Sequence, residues 1–324
     1  MSGRSPFSND IVALGELLID FTESGFSANG NRLFEQNPGG APANLLTAAA
    51  RLGSSAAFIG KVGRDMHGAF LKETLQKAGI NTSGLVEADD VFTTLAFVAL
   101  SASGEREFSF ARKPGADTCL RAEEIDFELI KSSRIFHFGS LSLTDEPSRD
   151  ATAQALAVAR DNGVIITYDP NYRASLWSDP AVATRQMKRH IESVDIIKIA
   201  DNELEMVTGE SDFEEGIKRL FEMGVKCVAL TLGDEGAIVS LGGAAKKVGV
   251  RDVRVVDTTG AGDAFFGGFL HGFLLSGLSV NELTIEDVVE FAVLGNATAA
   301  LCVSRRGGIP AMPTLAELNA FLES

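Results

Sequence analysis

The stretch DTTGAGDAFFGGFL, Asp257 to Leu270, puts four glycines at the mouth of an otherwise apolar helix. Glycine inside a helix costs about 1 kcal/mol against alanine, so a helix that opens this way has something to gain from it. Gly260 and Gly262 let the backbone N–H groups of Gly260, Ala261 and Gly262 converge on one point, where the positive end of the helix adds to them. Such a site can hold a developing phosphoryl charge. Asp263 follows on the first turn, placed to accept a proton from an attacking hydroxyl. The same pattern also admits a plainer reading, in which Asp263 caps the helix and the glycines pack against a neighbouring strand. Two familiar nucleotide motifs are absent: Phe265 stands where GxGxxG needs its third glycine, and no GxxxxGK[ST] occurs.

Working outward, short β-branched or apolar runs (IVALG, AAFIGKVG, RIFHFG, VIITYD, DIIKIA, CVALTLG) alternate with amphipathic stretches such as GAFLKETLQKAG and ATAQALAVARDNG. This alternation predicts an α/β fold with a mostly parallel sheet covered on both faces. Ligands of such sheets bind beyond the carboxyl ends of the strands. Residues 17–37 and 92–115 break the rhythm, the second with a polar SASGE turn, and read as a small β-rich lid inserted in a single domain spanning 1–324.

Several candidate site residues follow from their places in this plan. In NPGGAPANLLTAAARLG, Gly39 and Gly40 permit close backbone approach, Pro42 suits a first helical turn, and Asn44 offers an amide suited to sugar hydroxyls. A simple loop-to-helix turn explains that stretch as well. Asp20 in GELLIDF offers a carboxylate that two hydroxyls could share, or is an exposed strand residue. Arg173 in DPNYR falls past a strand's carboxyl end, where a guanidinium meets phosphate or sugar oxygens, or is a surface arginine. Asn202 and Glu205 in DNELE share a helix face and suit a hydrated Mg2+, with helix capping the rival. TLGDEG, Thr231 to Gly236, reads as a glycine hairpin turn. His67, His137, His190 and His271 have no metal-ligand spacing.

Composition narrows the class. At 324 residues, with 45% apolar and 23% charged residues and 9 prolines, the chain has the makings of a large folded core rather than disorder. A formal charge of −15 argues against nonspecific binding to nucleic acid or an anionic membrane. Cys119, Cys227 and Cys302 form no CxxC pair and fit a reducing cytoplasm. MSGRSPFSND lacks the apolar core of a signal peptide, and the longest apolar stretch, Ala264 to Leu275, is too short to span a bilayer.

The ordered set PGGAPANLLTAAARLG and DTTGAGDAFFGGFL, supported by GELLIDF, SGEREFSFARKPGAD, DPNYR, NELE, VALTLGDEG and RRGGIPAMP, resembles the ribokinase-like (PfkB) carbohydrate kinases, and within them the fructokinases. The resemblance covers the chain after its first ten residues. It implies a three-layer α/β/α domain with a lid and ATP-dependent phosphorylation of a sugar's primary hydroxyl, with D-fructose first and 2-keto-3-deoxygluconate, ribose or a nucleoside as alternatives. It further implies Asp263 as base, the amides of Gly260, Ala261 and Gly262 as anion hole, and Asp20, Gly39, Gly40 and Asn44 around the sugar with Arg173 near the phosphoryl. Thr231, Gly233, Gly236 and Asn296 would border ATP, joined by Asn202, Gly260 and Gly262. Asn202 and Glu205 would organise Mg2+ through water, and Asp257, Thr259, Cys302, Arg305 and Gly307 would surround K+. A homodimer through the lid is implied too. A catalytically silent sugar-binding regulator would be expected to have lost the base or the glycine loop, and both are intact. An aspartate at a helix N-terminus is expected to have a lowered pKa and to be a weak base, useful only if the proton leaves late.

Overall fold

A computed structural model describes residues 7–100 and 106–324; the SASGE turn and the first six residues lie outside the described residues. The chain opens with β1 (Asn9–Leu14), then β2 (Leu18–Phe26) and β3 (Arg32–Gly39), followed by β4 (Ala56–Gly63), β5 (Asn81–Ala88), β6 (Leu95–Leu100) and β7 (Arg106–Ala111). Next come β8 (Ser133–Gly139), β9 (Ile165–Asp169), β10 (Ile196–Ala200), β11 (Cys227–Thr231), β12 (Ala237–Leu241) and β13 (Ala244–Val248). Nine of these form one sheet in the order β13-β12-β11-β10-β9-β8-β1-β4-β5. Every pairing from β11 to β5 is parallel, and β12 and β13 extend the sheet antiparallel. The mostly parallel sheet expected from the sequence is therefore present.

Alternation along the strands explains the layering. In β1, Ile11 and Ala13 join one buried apolar cluster and Val12 and Leu14 join another, so both faces of the sheet are covered. The first cluster holds Phe266, Phe269 and Phe273 of the helix Ala261–Ser276, the one opened by the glycine turn. Among the described residues, no helix is long and apolar enough to cross a membrane.

The two segments that broke the rhythm supply β2, β3, β6 and β7, which form a separate four-stranded sheet in the order β3-β2-β6-β7. Its roots are tied down by buried polar contacts. Just after β7, Arg112 donates through Nε to Asp117 Oδ2 at 2.8 Å, and to Thr144 Oγ1 and the Leu141 carbonyl at 2.9 Å each. Thr94, just before β6, donates to the other oxygen of Asp117. Both strands thus leave the same point, next to the segment that follows β8.

The glycines of AFFGGFL answer a packing need, though against helices rather than a strand. A Cβ on Gly267 would lie 2.6 Å from Ala48 Cβ and 2.7 Å from the Leu45 carbonyl, both in the helix Ala41–Arg51. Gly272 meets Leu294 and Phe291 of the helix Ile285–Val303 at 2.9 and 3.2 Å in the same sense. Removing side chains here lets three helices approach closely. Gly267→Val is expected to destabilise the fold by about 2–3 kcal/mol through overpacking against backbone, measured as a lowered urea midpoint with unchanged slope.

Candidate active site

The carboxyl ends of β1, β9 and β10 open into a cleft of about 760 Å³, and the four-stranded sheet supplies one wall through Leu18, Asp20, Thr22 and Asn37. Asp263 lies on its floor, 7% exposed. Its side chain does not turn back to cap its own helix, which removes the capping part of the plainer reading. Oδ2 accepts from Asn44 Nδ2 at 2.8 Å and Oδ1 from Asn171 Nδ2 at 3.2 Å. Three chain segments, distant in sequence, therefore meet on one carboxylate.

Each partner has a local reason for its position. Gly40 takes φ 120° at the start of the helix Ala41–Arg51, a left-handed conformation that suits glycine. Its neighbour Ala41 donates its N–H to Glu16 Oε1 at 2.7 Å, so the buried Glu16 carboxylate receives one of that helix's unpaired first-turn amides. Asn171 has φ 43°, a left-handed value that asparagine tolerates better than most residues, and its N–H donates to Asp169 Oδ1 at 3.1 Å. Strain of this kind at a buried residue facing a cleft is characteristic of functional sites.

The three amides of the glycine turn are not equivalent. Gly260 takes φ 77° as the N-cap of its helix. Ala261 N–H is already used, donating to the Thr258 carbonyl at 3.3 Å, whereas the amides of Gly260 and Gly262 have no backbone acceptor among the described residues. Two of the three amides are therefore without a backbone acceptor among the described residues.

The electrostatics overturn one expectation. Burial, and after it the charge of Asp169, push Asp263 up from 3.8 to about 6, against the opposing influence of the Asn44 hydrogen bond, Lys198 and Arg173. Removal from water outweighs the Asn44 hydrogen bond and the two cations. Burial likewise raises Asp20 to about 6 with Asp257 and Asp263 adding to it and Arg173 opposing, and raises Glu16 to about 7. An acid-rich cleft of this kind suits a neutral hydroxylated ligand beside the carboxylates and requires cations wherever phosphate enters.

Of the other candidates, Asp20, Gly40, Asn44, Arg173, Asn202, Asp257, Thr259, Gly260 and Gly307 line the same cleft. Gly39 closes β3 opposite Leu18, one step from it. Asp257 gathers its neighbours: Oδ1 accepts from Thr259 N–H at 3.0 Å and Oγ1 at 2.8 Å, and Oδ2 from Gly307 N–H at 3.0 Å. Cys302 is buried with its thiol 3.7 Å from the Thr259 carbonyl, and its own carbonyl is taken by Arg305 N–H at 3.1 Å. The Arg305 guanidinium turns away to Glu317 at 2.6 Å. Thr231, Gly233, Gly236 and Asn296 do not line this cleft; Thr231 ends β11, Gly233 and Gly236 lie in the turn after it, and Asn296 donates to the Val248 and Gly249 carbonyls at 3.0 Å each. Glu205 is exposed, and no group of His, Cys, Asp or Glu among the described residues is arranged to hold a metal by itself.

Four buried or partly buried residues went unread in the sequence: Asp169 and Asn171 within DPNYR, Lys198 on β10 and Glu203 within DNELE. Glu203, not Asn202 or Glu205, caps its helix, accepting from Ala200 N–H at 2.9 Å and from Tyr172 N–H at 2.7 Å. Position at a strand's carboxyl end was the available signal for Asp169 and Asn171.

The family model for pfkB family carbohydrate kinases matches residues 8–315. The chain belongs to the pfkB family of carbohydrate kinases. It is 41% identical over 318 residues to the probable fructokinase-2 of Arabidopsis thaliana, covering 97% of this chain and 95% of the relative. Among solved structures, the fructokinase of Xylella fastidiosa with bound ATP superposes with a TM-score of 0.88 at 32% identity, covering 97% of this chain and 98% of that one. A double-mutant fructokinase of Vibrio cholerae O395 in fructose, ADP and potassium ion bound form superposes at 0.86 with 32% identity, covering 98% and 100%. As a pfkB carbohydrate kinase, the chain is a phosphotransferase acting on a sugar hydroxyl, with the ribokinase-like fold.

The site carries a stability cost that can be read out. With a folded pKa of about 6 above the ordinary 3.8, native Asp263 binds its proton more tightly than the unfolded chain does, so its contribution to stability falls as pH rises through that window and stays low above it. Asn44 Oδ1 is buried without a partner, so rotation of that amide can accept a donor at position 263. Asp263→Asn is therefore expected to stabilise the protein by on the order of 2 kcal/mol at pH 8, with the gain closing toward pH 4, measured by urea unfolding across pH.

Proposed function

We propose that this chain is an ATP-dependent fructokinase, moving the γ-phosphoryl group of ATP to the primary hydroxyl of D-fructose to give fructose 6-phosphate. The observation that carries the reading is the Asp263 carboxylate, buried beside the two open amides of Gly260 and Gly262 at a helix N-terminus, in a cleft that also presents Asp20, Asn44 and Arg173. Full-length similarity to fructokinases favours fructose over 2-keto-3-deoxygluconate, ribose or a nucleoside. An intact base and glycine turn argue against a catalytically silent regulator.

In this reading Asp20 accepts from two sugar hydroxyls, and the buried Asn44 Oδ1, unpartnered in the structure, accepts from a third, with Gly39 and Gly40 letting the sugar approach backbone. Asp263 takes the proton of the attacking hydroxyl. A carboxylate titrating near 6 is a better base than an ordinary one, and it remains ionised at neutral pH. Phosphoryl transfer passes through a loose transition state in most analyses, so positioning and charge stabilisation dominate. The Gly260 and Gly262 amides and the Arg173 guanidinium meet the charge on the transferred group, and Thr231, Gly233, Gly236 and Asn296, outside the cleft itself, would border the nucleotide.

Asn202 and Glu205, exposed oxygen donors on one helix, fit a hydrated Mg2+, which would neutralise phosphate charge. The Asp257, Thr259 and Gly307 cluster, with its hard oxygens, fits K+ beside the amides; Arg305 would contribute only its carbonyl, and Cys302, whose carbonyl already accepts from Arg305 N–H, fits less well. The four-stranded sheet acts as a lid that excludes water during transfer. Its outer strands β3 and β7, together with exposed Phe26, Leu33 and Phe34, suit pairing with a second copy through the lid. The three unpaired cysteines fit a cytoplasmic setting.

ADP release with Mg-ATP and K+ across fructose, 2-keto-3-deoxygluconate, ribose, glucose, adenosine and no sugar tests the reading. Fructose is expected to give the highest turnover, and Asp263→Asn to lower kcat by about 10²- to 10⁴-fold. Asp20→Ala is expected to raise KM for fructose while leaving KM for ATP nearly unchanged. Turnover with another sugar, or none dependent on sugar, would remove the fructose assignment.

A further inference from the structure

Beneath the glycine turn lies a charge that the reaction scheme above leaves unused. Lys198, on β10 and 5% exposed, has its Nζ 3.1 and 3.2 Å from the two oxygens of Asp169, itself 2% exposed at the end of β9. A Cβ built on Gly262 would lie 2.9 Å from Lys198 Nζ, so the ammonium packs directly against the backbone of the glycine turn. Asp169 in turn holds Asn171 through its N–H at 3.1 Å, and Asn171 holds Asp263 at 3.2 Å. Lysine is rarely buried so fully without a partner, and here the partner is one link from the base.

We infer that Lys198 is a positioning residue for phosphoryl transfer, its buried ammonium fixing the Asp169–Asn171–Asp263 chain and supplying the positive charge that keeps Asp263 ionised behind the anion hole. The inference rests on the reading of Asp263 as base. Burial alone would lower the lysine pKa, but Asp169, with Glu203 and Asp263, more than offsets it, so Lys198 remains charged. Asp169 and Lys198 then act on Asp263 in opposite senses, the first raising its pKa and the second lowering it. The other charged or titratable groups facing Asp263 are Arg173 beyond β9, Asp20 on β2, Asp257 before the glycine turn and Cys302 from the helix Ile285–Val303. Buried Glu203 and His137 face Lys198. Among these, Lys198 and Arg173 are the cations, and Lys198 is the buried one.

The opposed signs give a test that loss of structure cannot imitate. The pH dependence of kcat/KM for fructose, from pH 5 to 9 at fixed Mg-ATP, reports the free enzyme's essential base, and titration of ATP itself is common to all variants. Lys198→Met is expected to move the acid limb up by about one pH unit and Asp169→Asn to move it down by about one. If the lone buried carboxylate left by Lys198→Met prevents folding, the double variant Asp169→Asn/Lys198→Met decides, because its limb should lie about one unit above that of Asp169→Asn. Lowered activity with the limb unmoved, or moved the same way in both single variants, would overturn the inference. Asp263→Asn in the same assay separates the two layers: substantial activity there removes the base reading itself, whereas its loss together with an unmoved limb in the Lys198 and Asp169 variants removes only the role of Lys198.

Discussion

Everything in this active site is arranged around keeping one carboxylate, Asp263, out of water yet ionised. Taking a carboxylate into the interior is costly unless hydrogen bonds and charge compensate it. Here Asn44 and Asn171 each donate to one oxygen, and Lys198 and Arg173 supply positive charge. The compensation is incomplete by design of the site, because Asp169, needed to anchor Asn171, pushes the other way. The result is a buried carboxyl group raised to about 6 instead of a helix-capping carboxylate.

This requirement accounts for the chain's distribution of glycine. Gly260 and Gly262 open the helix Ala261–Ser276, and the lack of a side chain on Gly262 leaves room for the Lys198 ammonium, which would meet a Cβ there at 2.9 Å. Further along, Gly267 and Gly272 act on packing, drawing the helices Ala41–Arg51 and Ile285–Val303 against the helix that carries Asp263. The close approach of the first of these is what brings Asn44 within 2.8 Å of Asp263. One helix therefore carries both Asp263 and the glycines whose packing brings Asn44 to it.

Much of this was legible in the sequence, and the parts that were not share a cause. The parallel strands β1, β4, β8, β9, β10 and β11 showed as apolar runs because both faces of the sheet are buried. β5 and β13 did not: β5 opens with the polar NTSG at the sheet's edge, and β13 is mostly exposed. Asp263, Asn44, Asp20 and Arg173 could be picked out from their motifs because each stands in a recognisable local setting. Lys198, Asn171 and Glu203 matter only through neighbours on other strands, which no spacing along the chain reveals. The pKa of Asp263 was misjudged for the same reason, since the helix terminus is visible in sequence and the depth of burial is not.

The central claim is that Asp263 titrates far above an ordinary aspartate in the free protein. Carboxyl-carbon NMR of protein labelled with 13C at aspartate, with the resonance assigned by its loss in Asp263→Asn, measures this directly. A titration midpoint near 6 is predicted. A midpoint at or below the ordinary 3.8 would contradict the account, because it would mean that the helix terminus and the amide donors, not burial and Asp169, govern the base.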